Sequence, residues 1–135
     1  ITQFSLLWKE GDLDIIAKEV RAIDKLTSSP DKPVDKIVEM GFGLMSMTYP
    51  VVNNLYLEET LENFKPGISR TYYLAMKPRQ EQLHETKAFF NALLSTVLKR
   101  DSLAATRIIS EYGELQRSFA LKELQTMKPV ASALI

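Results

Sequence analysis

The side chains in this sequence with most to offer a ligand are its aromatics: Tyr56, Tyr72, Tyr73 and Tyr112, with Phe42, Phe89 and Phe90. They lie in segments whose apolar residues recur at helical spacing, so packing those segments together gathers the rings. A buried phenol must find a hydrogen-bond partner or it costs free energy, and a ligand can be that partner. Arg70 lies within one turn of Tyr72 and Tyr73, and Gln116 follows Tyr112 by one turn on the same face. The same rings could instead build a solid core and satisfy one another, so two readings stand at this point. Gly113, beside Tyr112 in mid-helix, favours a cavity because it removes bulk where bulk would stabilise. Gly41 and Gly43 mark either a close helix contact, room for something bound, or a weak helix that is tolerated.

Other chemistries have less support. His84 is the single histidine and there is no cysteine, so neither an imidazole-rich nor a thiolate metal site can be assembled. A surface position is expected for His84. Asp12 with Asp14, and Glu58 with Glu59, are carboxylate pairs at helix starts or on exposed faces, where charge is ordinary. General acid–base work needs a buried, shifted carboxylate. No phosphate loop, nucleophile elbow or HExxH pattern occurs. The expectation is a binding domain rather than an enzyme, with no metal and no cofactor.

The elements that must position these residues are helices. The organising stretch runs from Gln80 to Met127 and reads as two long helices, with Lys99-Arg100-Asp101-Ser102 between them. Ile108, Tyr112, Leu115 and Phe119 share one face of the second helix. Leu83, Phe90, Leu94 and Val97, with Phe89 and Leu93 beside them, share one face of the first. Lys99 and Arg100 suit the C-terminal end of a helix dipole, and Asp101 suits an N-cap. A turn this short implies antiparallel neighbours.

Upstream, Ile1 to Lys9 read as a helix tail that Gly11 ends, with Asp12 or Asp14 starting the next helix, over 12–27. Residues Thr27 to Pro33 form the clearest loop signal. A third helix is expected from Val34 to about Met47, broken by Thr48-Tyr49-Pro50. Another starts near Val51, is interrupted or kinked at Lys65-Pro66-Gly67, and resumes from Ser69 until Lys77-Pro78. No stretch alternates with period two, so the fold class is all-α, an antiparallel helical bundle of about six helices forming one domain over 1–135.

The 135 residues suffice for one domain with a real core. Seventeen basic and seventeen acidic side chains give formal neutrality, which disfavours a broad grip on a nucleic-acid backbone. No apolar run is long enough to span a bilayer and no signal-peptide pattern opens the chain, so a cytoplasmic location without membrane contact is expected. The chain opens on Ile within an amphipathic pattern. That suggests a fragment whose native start lies upstream, although processing would look the same.

From Phe89 to Phe119 the sequence AFFNALLSTVLKRDSLAATRIISEYGELQRSF resembles the closing helices of the FCD effector domain of GntR-family transcription regulators. The LKRDSLAATRII segment fits that family's short turn and alanine-rich helix start, and the Tyr112-Gly113 pair aligns without a gap. Within the family the likeness is to the fatty-acid-responsive, FadR-like subgroup. GFGLMSM, NNLY and SRTYY are similar to successive effector-domain segments, and ITQFSLLWKEGDLDIIAKEV to an earlier one.

The resemblance implies an effector-binding bundle attached to an N-terminal winged-helix DNA-binding domain, which this chain lacks. It implies a homodimer reading palindromic half-sites, and a population shift on effector binding. Most FCD domains hold a metal with an aspartate and three histidines. Phe90 and Tyr112 stand at two of those histidine positions, so the resemblance implies a metal-free member that takes a long-chain acyl-CoA or similar metabolite in the bundle. The implied ligand-binding set is Tyr112, Gln116, Tyr72, Tyr73, Phe90, Gly43 and Leu44. Ala120 replaces a family aromatic, which leaves the ligand's identity open. A small all-α enzyme of the chorismate mutase kind is the competing reading. It needs several cations converging on a dicarboxylate, whereas Arg70, Arg107 and Arg117 are sparse and Arg107 lies off the Ile108 stripe. A helical interaction module with a solid core and no ligand is the third.

Overall fold

The computed structural model describes the backbone of residues 1–133 and side chains through residue 127. Among the described residues there are six α-helices and no strand: α1 (Thr2–Leu7), α2 (Glu10–Thr27), α3 (Val34–Val52), α4 (Leu55–Met76), α5 (His84–Leu98) and α6 (Ser102–Ala133). A 3-10 turn, Lys77–Gln82, joins α4 to α5. The expected all-α bundle is therefore the observed fold.

The helix ends follow local chemistry, and several differ from the sequence expectation. Gly11 does not end α1; it lies in the first turn of α2. The start is set by Asp12, whose carboxylate accepts the Lys9 N–H at 2.9 Å and satisfies a donor that the helix cannot. Pro50 does not break α3, which runs on to Val52. Placed in the last turn, it removes only the bond to the Ser46 carbonyl. The stop comes at Asn53, left-handed at φ 50, whose N–H donates to the Tyr49 carbonyl at 2.8 Å. Asn54 then caps α4, its Oδ1 accepting the Leu57 N–H at 3.1 Å. Pro66 and Gly67 lie inside α4, which is one helix from Leu55 to Met76. Residues 80–82 belong to the 3-10 turn rather than to α5.

The core is formed chiefly by α2 and α3. Ile16, Val20 and Ile23 of α2 meet Val34, Ile37, Val38, Phe42 and Leu44 of α3, closed by Phe4, Met76, Leu83 and Val97. The α5–α6 hairpin is antiparallel: Thr86 near the start of α5 meets Tyr112 of α6. Asp101 caps α6 as expected, accepting the Ala104 N–H at 3.0 Å. Arg100 serves a different helix end from the one expected. Its guanidinium donates to the carbonyls of Leu6 (3.1 Å) and Trp8 (2.7 Å) at the end of α1 and lies 3.9 Å over the Trp8 ring. The Trp8 indole in turn donates to the Val97 carbonyl at 2.9 Å. The dipole argument holds, but the carbonyls that receive the cation are brought by the tertiary fold.

The inner stripe of α6 also differs from the expectation. Leu115 is exposed, while Ala105, Gln116 and Ala120 are buried, with Ile108, Tyr112 and Phe119 partly so. Small residues along this stripe let α4 come close. Among the described residues no helix is long and apolar enough to cross a membrane.

Candidate ligand-binding cavity

A cavity of about 520 Å³ lies inside the bundle, alongside α3 from Ile37 to Val52. Its walls come from α1 (Thr2, Gln3), α2 (Ile16, Val20), α3 (Gly41, Phe42, Leu44, Met45), α4 (Leu57, Leu61, Tyr72, Met76), α5 (Phe89, Phe90, Leu93, Leu94) and α6 (Ile109, Tyr112). The volume falls in the range of small-molecule pockets, roughly 300–1,000 Å³.

The rings in these walls form a connected group. Tyr112 stacks on Phe89 with centroids 3.9 Å apart and more loosely on Tyr72 at 6.1 Å. Tyr72 meets Phe42 edge-on at 6.1 Å, and Phe89 meets Phe90 edge-on at 5.0 Å. The Tyr112 hydroxyl is 3.0 Å from Thr86 Oγ1, so the buried phenol has a protein partner. Burial pushes Tyr112 up to about 12, with the Tyr72 phenol and Glu85 adding to the rise and the Thr86 hydrogen bond opposing it. Burial also raises Tyr72. Near the α3–α4 turn Tyr49 donates to Glu62 at 3.0 Å; desolvation, then this bond, push it up to about 12. All three phenols are neutral donors at physiological pH.

Among the described residues no lysine, arginine or histidine side chain lines this cavity, and Glu58 is the single charged one. An anion placed here would be buried without a counter-charge, which is expensive. The space suits an apolar body carrying at most a neutral acceptor.

The sequence-derived site residues separate into two groups. Tyr72, Tyr112, Phe90 and Leu44 line the cavity. Tyr73 does not: it is exposed, one residue round the helix from Tyr72. Gly43 does not line it either, and a Cβ there would meet nothing within 4 Å. The glycine that matters is Gly41, where a Cβ would lie 3.3 Å from Phe90 Cζ; its bare backbone lets the ring pass against α3. A Cβ on Gly113 would rest at ordinary contact, 3.9 Å, from the Tyr72 hydroxyl, so that glycine does not hold the cavity open. Tyr56 was grouped with the packed aromatics, yet it is 84% exposed.

Gln116 faces a different space. It is 5% exposed and lines a groove between α4 and α6 with Gly67, Arg70, Thr71, Ala120 and Leu121. Its Oε1 is the single buried side-chain nitrogen or oxygen among the described residues that has no hydrogen-bond partner. Tyr72 lines both spaces and forms the partition between them.

Sequence reasoning missed Thr86, Met45 and Leu57. Thr86 precedes Phe90 by one turn, and that spacing could have found it. His84 is exposed as expected, and Asp12 is engaged in capping. Among the described residues no three His, Asp or Glu side chains are grouped as a ligand set for a metal ion. No protein-family model matches the chain, and no curated protein or solved structure matches it.

Proposed function

We propose that this bundle is a ligand-sensing effector domain of the GntR/FadR-like kind, taking the acyl portion of a long-chain acyl-CoA, or a similar apolar metabolite, in its interior. The observation that carries this reading is the cavity itself: about 520 Å³, apolar on nearly every wall, with the neutral phenols of Tyr72 and Tyr112 on one side. A thioester carbonyl is an acceptor for such a phenol, and an alkyl chain gains about 0.8 kcal/mol per buried methylene. The ligand's anionic part stays outside, since among the described residues no lysine, arginine or histidine lines the interior. The same lack of cations disfavours an enzyme that must hold a dicarboxylate there.

Binding acts as a population shift. The cavity borders α2 to α6 at once, so a ligand filling it favours the arrangement of α4, α5 and α6 that fits it best. A DNA-binding domain joined upstream would read that arrangement as an altered spacing of its recognition helices.

A thermal-shift titration of the purified domain against acyl-CoA thioesters of increasing chain length, with free CoA as control, tests the proposal. A ligand that binds only the folded state at a hundred times its Kd adds about 2.7 kcal/mol. A saturable rise that grows with chain length supports the reading. Equal shifts with CoA alone, or none with any thioester, overturn it.

A further inference from the structure

We infer that the groove between α4 and α6 is a second ligand site, for a small organic acid whose apolar body carries a neutral hydrogen-bond donor. The groove holds about 560 Å³, within the range of small-molecule sites, and the Tyr72 ring separates it from the interior cavity. The site is therefore independent of the acyl ligand proposed above.

The donor is what the floor of the groove lacks. Gln116 lies there, buried beside Ala120, and its Oε1 accepts no hydrogen bond. Two hydroxyls share the groove and neither serves it. Thr71 donates instead to the Gly67 carbonyl at 3.0 Å. The Tyr72 hydroxyl lies 3.9 Å from where a Gly113 Cβ would stand, and does not donate to the amide. A buried amide oxygen left unpaired is costly, so a donor from outside the chain gains most at this point.

The anion is what the rim asks for. Arg70 of α4 and Arg117 of α6 both line the groove and both are exposed. Among the described residues Arg70 forms no ion pair, and Arg117 reaches only Glu114, at 3.5 Å and in water. No aspartate or glutamate among the described residues lines the groove. Two guanidiniums, one from each helix, with no carboxylate between them, suit an anionic head group.

The rest of the wall is aliphatic, from Ile68, Leu74, Leu121 and Leu124, and takes the apolar body of the ligand. Gly67 leaves room for it, since a Cβ there would meet nothing within 4 Å. The two spaces thus choose by opposite charge. The interior has Glu58 as its single charged side chain among the described residues and penalises an acid, whereas the groove has only cations and accepts one.

Calorimetric titration of the 135-residue chain with para-hydroxyaryl acids, from the benzoate to the phenylbutyrate, tests the assignment; the series varies the distance from anion to donor. At least one member should bind saturably. Its O-methyl ether, which lacks the donor, and its methyl ester, which lacks the charge, should each bind about fivefold more weakly or worse. Three changes locate the site, each checked first by a thermal melt. Gln116→Leu removes the acceptor and should bind the acid and its ether equally. Arg70→Gln combined with Arg117→Gln should erase the preference for acid over ester. Gly67→Leu puts a better helix former in mid-helix, so the fold is kept while the new side chain obstructs the groove and binding is lost. Binding by no member of the series, an ether as tight as its parent, or full affinity in the arginine and Gly67 variants overturns the proposal. Acetate binding as tightly as the best acid overturns it as well, since that is a general anion site without a built pocket.

Discussion

Helices α2 and α4 are both long, at 18 and 22 residues, yet they are used in opposite ways. α2 buries Ile16, Val20, Ile23 and Thr27 at regular helical steps and turns its charges to water. α4 fully buries only Ala75 and Met76, at its last turn. The rest of its apolar complement lines the interior cavity or faces outward, as Leu61 and Tyr72 do in the first case and Tyr56 and Phe64 in the second. Buried apolar side chains are thus concentrated in the α2–α3 layer, while α4 and the α6 face beside it border the cavity and the groove with its unpaired amide. A helix whose apolar surface is not consumed by its own domain is available for ligands and partners.

The sharpest test of that contrast is a pair of truncations. Ile23→Ala should cost about 2–5 kcal/mol in urea unfolding, since a fully buried side chain leaves a cavity in close-packed surroundings. Phe64→Ala, at a side chain that is 62% exposed, should cost no more than about 0.5 kcal/mol. Similar losses at both sites would mean that α4 is as integral to the core as α2.

A smaller effect should come from the aromatic junction. Tyr112→Phe and Thr86→Val each remove one partner of a shared hydrogen bond, at a cost of about 1 kcal/mol, and the double variant should lose less than the sum. Additive losses would show that the two hydroxyls do not act as a pair. Gln116→Leu should go the other way, raising stability by about 1 kcal/mol, because it removes an amide whose Oε1 is buried and unpaired. A loss there would mean that the amide is satisfied.

The smallest effect is one of pH. Tyr112 and Tyr49 are each pushed up to about 12, above the ordinary phenol value of about 10. A raised folded pKa means that the folded state holds the proton more tightly. The associated stability is complete below about pH 10 and is lost as pH rises toward 12. Thermal melts across that window should fall, and Tyr112→Phe should flatten part of the fall.

Much of this molecule was legible as one-dimensional pattern. The period of apolar residues is a backbone property, so the helical class, the α5–α6 hairpin, the loop before Val34 and the Asp101 cap followed from spacing and local hydrogen bonding alone. The aromatic group of Tyr72, Tyr112, Phe42, Phe89 and Phe90 followed as well, because packed helices have little choice but to bring such rings together. Prolines were the weak point. A missing N–H costs one bond, and both Pro50 and Pro66 sit where a helix can continue without it.

What only the tertiary structure decided is which side of each helix meets which neighbour. Spacing fixes a residue's angle about its helix, not the helix's rotation against the bundle. Tyr72 thus lines the cavity while Tyr73 is left in water. Gln116 and Tyr112 share a face yet open onto different spaces, separated by the Tyr72 ring. Arg100 caps α1 across more than ninety residues of chain, a partnership no local rule contains. The cavity belongs to the same class of fact: it is the volume left between six helices after packing, and each of them writes only its own wall.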